Sequence, residues 1–201
     1  MTDRLKALEE LGAATVHEAQ GKRGALSSMV KPVDPRMKLC GPALTVRTVP
    51  ADNLAIHHAL LQARPGDVLV VDADAHLEAG AWGDILSAAA VKRGIAGLVI
   101  NGAVRDVESI ADMGFPVFAK AVSIKGTAKT DPGRIGEAIR IDGVDIHNGD
   151  VVLGDRDGVV VVAAAEVEAV HEAARQRERT EREYLRRISA GESTVDILNL
   201  R

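Results

Sequence analysis

The sequence predicts an α/β fold organised around parallel strands, and three features predict it. Between residues 43 and 122, β-branched apolar runs alternate with stretches of helical period. From about residue 137 the pattern changes to short strands separated by glycine-containing turns, and residues 166–190 read as one long, heavily charged helix. Strand alternating with helix is the signature of parallel α/β units, and closely spaced strands with Gly turns signal antiparallel pairing.

Each element has its own local reason. Residues 3–11, within the amphipathic opening "MTDRLKALEELG", read as a helix and not as a secretory signal. Thr15 can N-cap a second short helix over "VHEAQG". The Pro-punctuated stretch "SSMVKPVDPRMKLCGP" reads as loop and turn, and the alternating, β-branched "ALTVRTV" as a strand. "ADNLAIHHALLQA" is helical, with Asp52 near its start and Pro65-Gly66-Asp67 closing it; "DVLVVDA" is a buried strand. "GDILSAAAVKRG" is a helix stopped by Gly94, "IAGLVI" the next strand, 106–112 a short helix and "FPVFAKAV" another strand. Beyond these, "EAIRI", "VDIH", "GDVVLGD" and "GVVVVA" form the β-rich end. "GDRDGV" carries an Asp-Gly hairpin signal; it lacks the remaining ligands of a calcium loop. Residues 1–165 make one domain, and 166–201 a helical extension of it.

Composition excludes several functions. The chain has 201 residues, a formal net charge of −4 and 2% aromatics, so neither a phosphate-backbone binder nor a base-stacking surface is expected. Cys40 is the single cysteine, which rules out an intrachain disulfide and fits a small buried hydrophobe. No apolar run approaches the roughly 18 residues of a membrane span. A soluble, cytoplasmic protein that binds neither nucleic acid nor membrane is the expectation.

The strand "GLVI" runs into Asn101-Gly102 and then into the adjacent charges Arg105 and Asp106. The helix starting at Asp84 runs ~15 Å away at 1.5 Å per residue. The following strand returns by ~20 Å at 3.3 Å per residue. Asp84 and Arg105, with twenty residues between them, therefore meet at the edge where open α/β units bind ligands. There the first-turn amides from Gly83 to Leu86 can bind an anion, and Arg105 offers a forked donor for a carboxylate or enolate. Asp106 supplies one hard oxygen on the adjacent loop, expected to point elsewhere. One carboxylate is a poor cage for calcium or zinc but suits Mg²⁺, which keeps several waters. The same residues also fit blander roles: Arg105–Asp106 as a surface ion pair worth ~0–1 kcal/mol, and Asp84 as a complement to the helix dipole. His57 and His58 are adjacent and make a poor metal pair, and the other histidines show no ligand spacing. Asp72 and Asp74 flank the crevice. Nothing in the sequence marks Lys120, Lys125 or Lys129 as a Schiff-base lysine.

At these residues the chain resembles the 4-hydroxy-4-methyl-2-oxoglutarate/4-carboxy-4-hydroxy-2-oxoadipate aldolases and the related regulators of ribonuclease E activity. The shared signature is an Asp, twenty residues, then Arg-Asp: Asp84, Arg105 and Asp106. "TVHEAQGKRG", "GPALTVRTVPADNLAIHHAL", "AWGDILSAAAVKRGIAGLVINGAVRD", "GTAKTDPG" and "NGDVVLGDRDGVVVV" extend the likeness from about residue 12 to 192. The resemblance implies a swivelling β/β/α-type layered sandwich whose C-terminal helix packs on a neighbouring subunit, in trimers or hexamers with active sites between subunits. It implies that Arg105 binds the carboxylate and ketone of a small 2-oxo acid, and that Asp106 holds a divalent cation, Mg²⁺ or Mn²⁺. Backbone contacts come from Gly83, Asp84, Ile85 and Leu86. Asp84 positions a catalytic water together with acids from a neighbouring subunit, Glu18 and a C-terminal glutamate. Glu181 matches that position best, with Glu178 and Glu183 close by. The implied activity is class II aldol cleavage to pyruvate with an oxaloacetate decarboxylase side activity. The alternatives are a non-enzymatic regulator of ribonuclease E-type RNA decay and a dedicated oxaloacetate decarboxylase.

Overall fold

The computed structural model describes residues 3–201; Met1 and Thr2, the start of the amphipathic N-terminal stretch, lie outside the described residues. In chain order the elements are α1 (Asp3–Leu11), α2 (Ala13–Ala19), β1 (Lys31–Pro32), β2 (Leu39–Arg47) and α3 (Leu54–Gln62). Then come β3 (Val68–Trp82), α4 (Asp84–Arg93), β4 (Gly97–Val104), α5 (Val107–Met113) and β5 (Val117–Val122). The β-rich end holds β6 (Arg134–Ile135), β7 (Ile139–Ile141), β8 (Val144–Ile146), β9 (Val151–Gly154) and β10 (Val159–Val162), followed by α6 (Val167–Ser189) and α7 (Thr194–Ile197).

The α/β class follows the sequence. β2, β3, β4 and β5 are parallel neighbours, and the helices between them, α3, α4 and α5, pack side by side. The sheet order is β1-β5-β4-β3-β2-β9-β10, with β6 also on β2 and β7–β8 forming a separate hairpin. β4 is buried along its whole length, as a central parallel strand covered on both faces must be. The Asp157-Gly158 turn joins antiparallel β9 and β10, as a hairpin signal should.

Two cores result. The larger joins the sheet to α3–α5 and to the β7–β8 hairpin. The smaller packs Leu8, Val16, Val170 and Ala174 from α1, α2 and α6 on Leu153, Val160 and Val162 of the β9–β10 hairpin. Cys40 belongs to it; burial, with Glu9 nearby, pushes its thiol up to about 12, so it stays an unreactive apolar filler. The first half of α6 thus docks on its own chain. Beyond Ala174 no residue of the helix is buried, and Leu185 and Ile188 face outward.

Some boundaries differ from expectation, each for a non-local reason. β2 begins at Leu39 and not Ala43, because Leu39–Pro42 pair antiparallel with β9 before the strand turns to β3. β3 runs on to Trp82, beyond the expected end at Ala73. Its alternation is broken by left-handed residues Asp74 and Ala75 and by register shifts against β4. Thr15 is not a cap. α2 starts at Ala13, whose N–H donates to Asp155 Oδ2 at 2.8 Å, a carboxylate from the β9–β10 turn. Gly94 does stop α4: it adopts φ 70°, ψ 25° and its N–H returns to the last turn.

Candidate active site

β3 and β4 end side by side, with Trp82 paired to Val104 and Arg105 N–H donating to Trp82 O at 2.8 Å. The Trp82 indole N–H donates to Ser87 Oγ at 2.7 Å, and that hydroxyl donates to Gly83 O at 3.0 Å, which locks the turn from β3 into α4. The ring also stacks on Phe115 at 5.8 Å between centroids. Residues 83–86 and 105 therefore share one wall of a cavity of about 250 Å³. Gly83 is needed there for space. A Cβ at this position would run into Asp106 Oδ2 and lie within 3.2 Å of Arg105 Cγ.

Asp106 does not point elsewhere. Its left-handed backbone (φ 55°, ψ 35°) turns the carboxylate back, so Oδ2 lies 3.2 Å from Arg105 Nε and 3.4 Å from Asp84 N. Asp84 Oδ1 accepts from Ile85 N at 2.7 Å. The orphan amides at the start of α4 thus attract carboxylates of the chain itself, as the positive end of a helix should. The Asp84 and Ile85 amides are not free; an incoming anion displaces or supplements these contacts.

The rest of the lining, a second wall built by α3 and the 126–131 loop, comes from residues the sequence did not single out for substrate contact. Asn53, at the N-cap position of α3, His57, one turn further on, and Thr127 and Lys129, on the loop after β5, line the same cavity. Asp52 joins these two segments. Its carboxylate accepts from Leu54 N, Thr130 N and Thr130 Oγ1 at 2.8–2.9 Å, while Asn53 N donates to Ala128 O. Burial pushes the Asp52 carboxyl up, but these donors outweigh it and hold it at about 2. Asn53 is 6% exposed; its Nδ2 donates to Ala81 O at 3.0 Å, and its Oδ1 has no partner. Burial, reinforced by Lys129 and His58, keeps the His57 imidazole below its ordinary value of 6.5. The only signal for this wall was that Asn53 and His57 stand in "GPALTVRTVPADNLAIHHAL" and Lys129 in "GTAKTDPG".

Glu18 and Glu181 lie outside this cavity. They meet each other across Arg177, at 3.7 Å and 2.8 Å, on the α2–α6 surface. Glu178 and Glu183 pair instead with Arg182 and Arg186, so Glu181 is the C-terminal glutamate beside Glu18. Asp72 is buried against Asn101 Nδ2 at 2.8 Å, and Lys120 pairs with Asp142. Among the described residues no group of three or more His, Cys, Asp or Glu side chains is placed to hold a metal, and no helix is long and apolar enough to cross a membrane.

A model of the RraA-like family, described as Aldolase/RraA, matches residues 13–161. A Halalkalibacterium halodurans protein named "Putative 4-hydroxy-4-methyl-2-oxoglutarate aldolase" is 37% identical over 164 residues, 82% of this chain and 78% of that protein. The crystal structure of an uncharacterised Pseudomonas syringae protein superposes with a TM-score of 0.87 at 28% identity, covering 96% of each chain. Streptomyces coelicolor RraAS2, described as an unusual member of the RNase ES inhibitor RraA protein family, superposes at 0.83 and 28% identity over 93% of this chain and 98% of its own. Architecture and sequence match agree: the chain belongs to the RraA-like, Aldolase/RraA family.

Proposed function

We propose that this protein is a divalent-metal-dependent aldolase that cleaves 4-hydroxy-4-methyl-2-oxoglutarate, or a related 4-hydroxy-2-oxo acid, to pyruvate, and that it also decarboxylates oxaloacetate. The observation that carries the reading is the corner where Arg105 and the first turn of α4 line one small cavity, with the Asp106 carboxylate against Arg105 Nε and the Asp84 amide. Both reactions leave the same pyruvate enolate, and a preorganised guanidinium is what such a developing charge needs.

The donor set fits a hard cation. Of the Asp106 carboxylate only Oδ2 is engaged among the described residues, and the side chain is 36% exposed. One carboxylate with open surroundings suits Mg²⁺ or Mn²⁺, which keep much of their water. When bound, such a cation polarises the 2-ketone and offsets the negative charge that forms on it. Arg105, with Nε beside Asp106 and its guanidinium reaching the cavity, binds the 1-carboxylate and the 2-oxygen. Asp84, at the start of α4, holds the water that protonates the enolate carbon.

Lys129 gives the far wall a second cation, without a salt-bridge partner among the described residues, so the cavity suits a substrate with a carboxylate at each end. We read Glu18 and Glu181 as the acids that a neighbouring copy brings to the Asp84 water. In support, Ile85, Val122 and Ile124, the last 91% exposed, present apolar surface on the cavity's first wall and just before its loop, as an interface between copies would.

Pyruvate release tests the proposal, measured on 4-hydroxy-4-methyl-2-oxoglutarate and on oxaloacetate, after chelation and after adding back Mg²⁺ or Mn²⁺. Metal-dependent release from both substrates is expected. Release from oxaloacetate alone would make the protein a dedicated decarboxylase. No release under any condition would favour a non-enzymatic regulator of ribonuclease E-type RNA decay; one relative of this fold is described as a member of the RNase ES inhibitor RraA protein family.

A further inference from the structure

We infer that His57 is the general base of aldol cleavage: its imidazole takes the proton of the substrate's C4 hydroxyl, while the Arg105 wall receives the electrons. The inference rests on the proposed aldolase reading and adds a residue to it.

The lining of the cavity carries it. Arg105, the start of α4, Asn53, His57 and Lys129 all line one cavity of about 250 Å³. With the 1-carboxylate and 2-ketone held at Arg105, C4 and its hydroxyl lie two bonds further along the chain, among the remaining lining groups. Two of these match what this end of the substrate presents. Lys129 suits the distal carboxylate. His57 is the only imidazole lining the cavity among the described residues.

The groups facing His57 suit a base. From the 126–131 loop comes Lys129, from its own helix His58, and the cavity it lines also holds Asp84 and Arg105. Burial comes first, and with Lys129 and His58 it favours the neutral ring, the form that accepts a proton.

The step balances without a further reactant. The imidazole nitrogen takes the hydroxyl proton, and the O–H pair becomes the second bond of the new C4 carbonyl. The C3–C4 bond breaks, and its electrons form the C2–C3 double bond of the enolate, whose charge rests on the ketone oxygen. The imidazolium then returns its proton to solvent, and the Asp84 water protonates C3. Oxaloacetate has no hydroxyl to deprotonate: its C3–C4 bond breaks with loss of carbon dioxide. His57 is therefore needed for one reaction and not for the other.

That asymmetry is the test. His57→Gln and His57→Asn are assayed with Mg²⁺ on 4-hydroxy-4-methyl-2-oxoglutarate and on oxaloacetate. Aldol kcat is expected to fall about 100-fold or more, the size of a lost general base, with decarboxylation within about threefold of wild type. Decarboxylation by the same preparations also reports that the variants fold. Parallel losses in both reactions, or no loss in either, overturn the assignment. Wild-type enzyme gives an independent reading if the variants do not fold. Its kcat/KM for aldol cleavage should lose one proton's worth of activity as pH falls through a value below 6.5, a limb that decarboxylation lacks. A shared limb overturns the inference. Wild type that cleaves neither substrate refutes the aldolase reading itself, which is a distinguishable outcome.

Discussion

Gly83→Ala separates the geometry of the Arg105–Asp106 corner from the stability of the fold. Gly83 has φ −152° and ψ −165°, extended backbone that alanine adopts without strain. The damage is confined to what the new methyl meets. It would collide with Asp106 Oδ2 and sit 3.2 Å from Arg105 Cγ and 3.3 Å from Arg105 Nε. Ordinary contact is about 3.5 Å or more, so the carboxylate must retreat by about 1 Å and the guanidinium by a few tenths. A displacement of about 1 Å at reacting groups costs on the order of 100-fold in rate. That is about 2.7 kcal/mol of transition-state stabilisation. The helix cap itself loses far less. Replacing a capping glycine by alanine costs about 1 kcal/mol or less, a Tm shift of about 2–4 °C in a chain of this size. Pyruvate release against substrate concentration, paired with a thermal melt, measures both. The expected result is kcat/KM down about 100-fold, weaker activation by Mn²⁺ and a Tm within about 4 °C. Activity within threefold of wild type would refute the role given to this corner, and a Tm loss beyond 10 °C would show that the methyl disrupts the fold instead.

Three further outcomes follow from Lys129 and Asp52. Lys129→Ala should raise KM for 4-hydroxy-4-methyl-2-oxoglutarate about tenfold, the effect of one lost ion pair of about 1.4 kcal/mol, with kcat within about threefold; an unchanged KM would remove Lys129 from carboxylate recognition. Because Lys129 is one of the groups that lower the His57 pKa, its loss should also move the acid limb of aldol kcat/KM to higher pH. Asp52→Ala removes the buried carboxylate that accepts from Leu54 and Thr130, a loss of about 1–3 kcal/mol at neutral pH by urea melts. The Asp52 carboxyl is depressed from 3.8 to about 2 in the folded chain, so its stabilisation is complete above 3.8 and fades as pH falls towards 2. Wild type and variant should therefore converge in stability over that window, and a constant gap would assign the effect to packing.

What the sequence makes legible is what short-range physics decides. The arrest of α4 at Gly94 needs only the left-handed cap, and the buried run of β4 only its composition. The encounter of Asp84 with Arg105 needs only the rise per residue of a helix and a strand, so one wall of the cavity could be drawn beforehand. The first half of β2 could not, because its partner β9 lies more than a hundred residues away and Pro42 reads locally as a turn. Nor could the cap of α2, which Asp155 supplies from a distant hairpin where Thr15 offered a nearer solution. The orientation of Asp106 depended on a left-handed backbone at an aspartate, which composition does not announce.

The far wall was illegible for a different reason, and that reason bears on how the site works. Asn53, His57 and Lys129 come together because a single carboxylate, that of Asp52, caps the entry to α3 and at the same time pins the loop through Thr130, while Asn53 and Ala51 pair with Ala128. A loop's path is not written in periodicity, so neither is the wall. The same construction gives the two sets of lining residues different supports. One is carried on the β3–β4 strand ends and the start of α4, rigid through Trp82, Ser87 and the stacked Phe115. The other hangs on one buried ionised group between a helix start and a loop. In the proposed chemistry the first wall makes the enolate, which every substrate of this reaction class shares. The second reads the hydroxyl and distal carboxylate, which differ between substrates. Change at the Asp52 junction should therefore alter which acid is cleaved before it alters the ability to form an enolate.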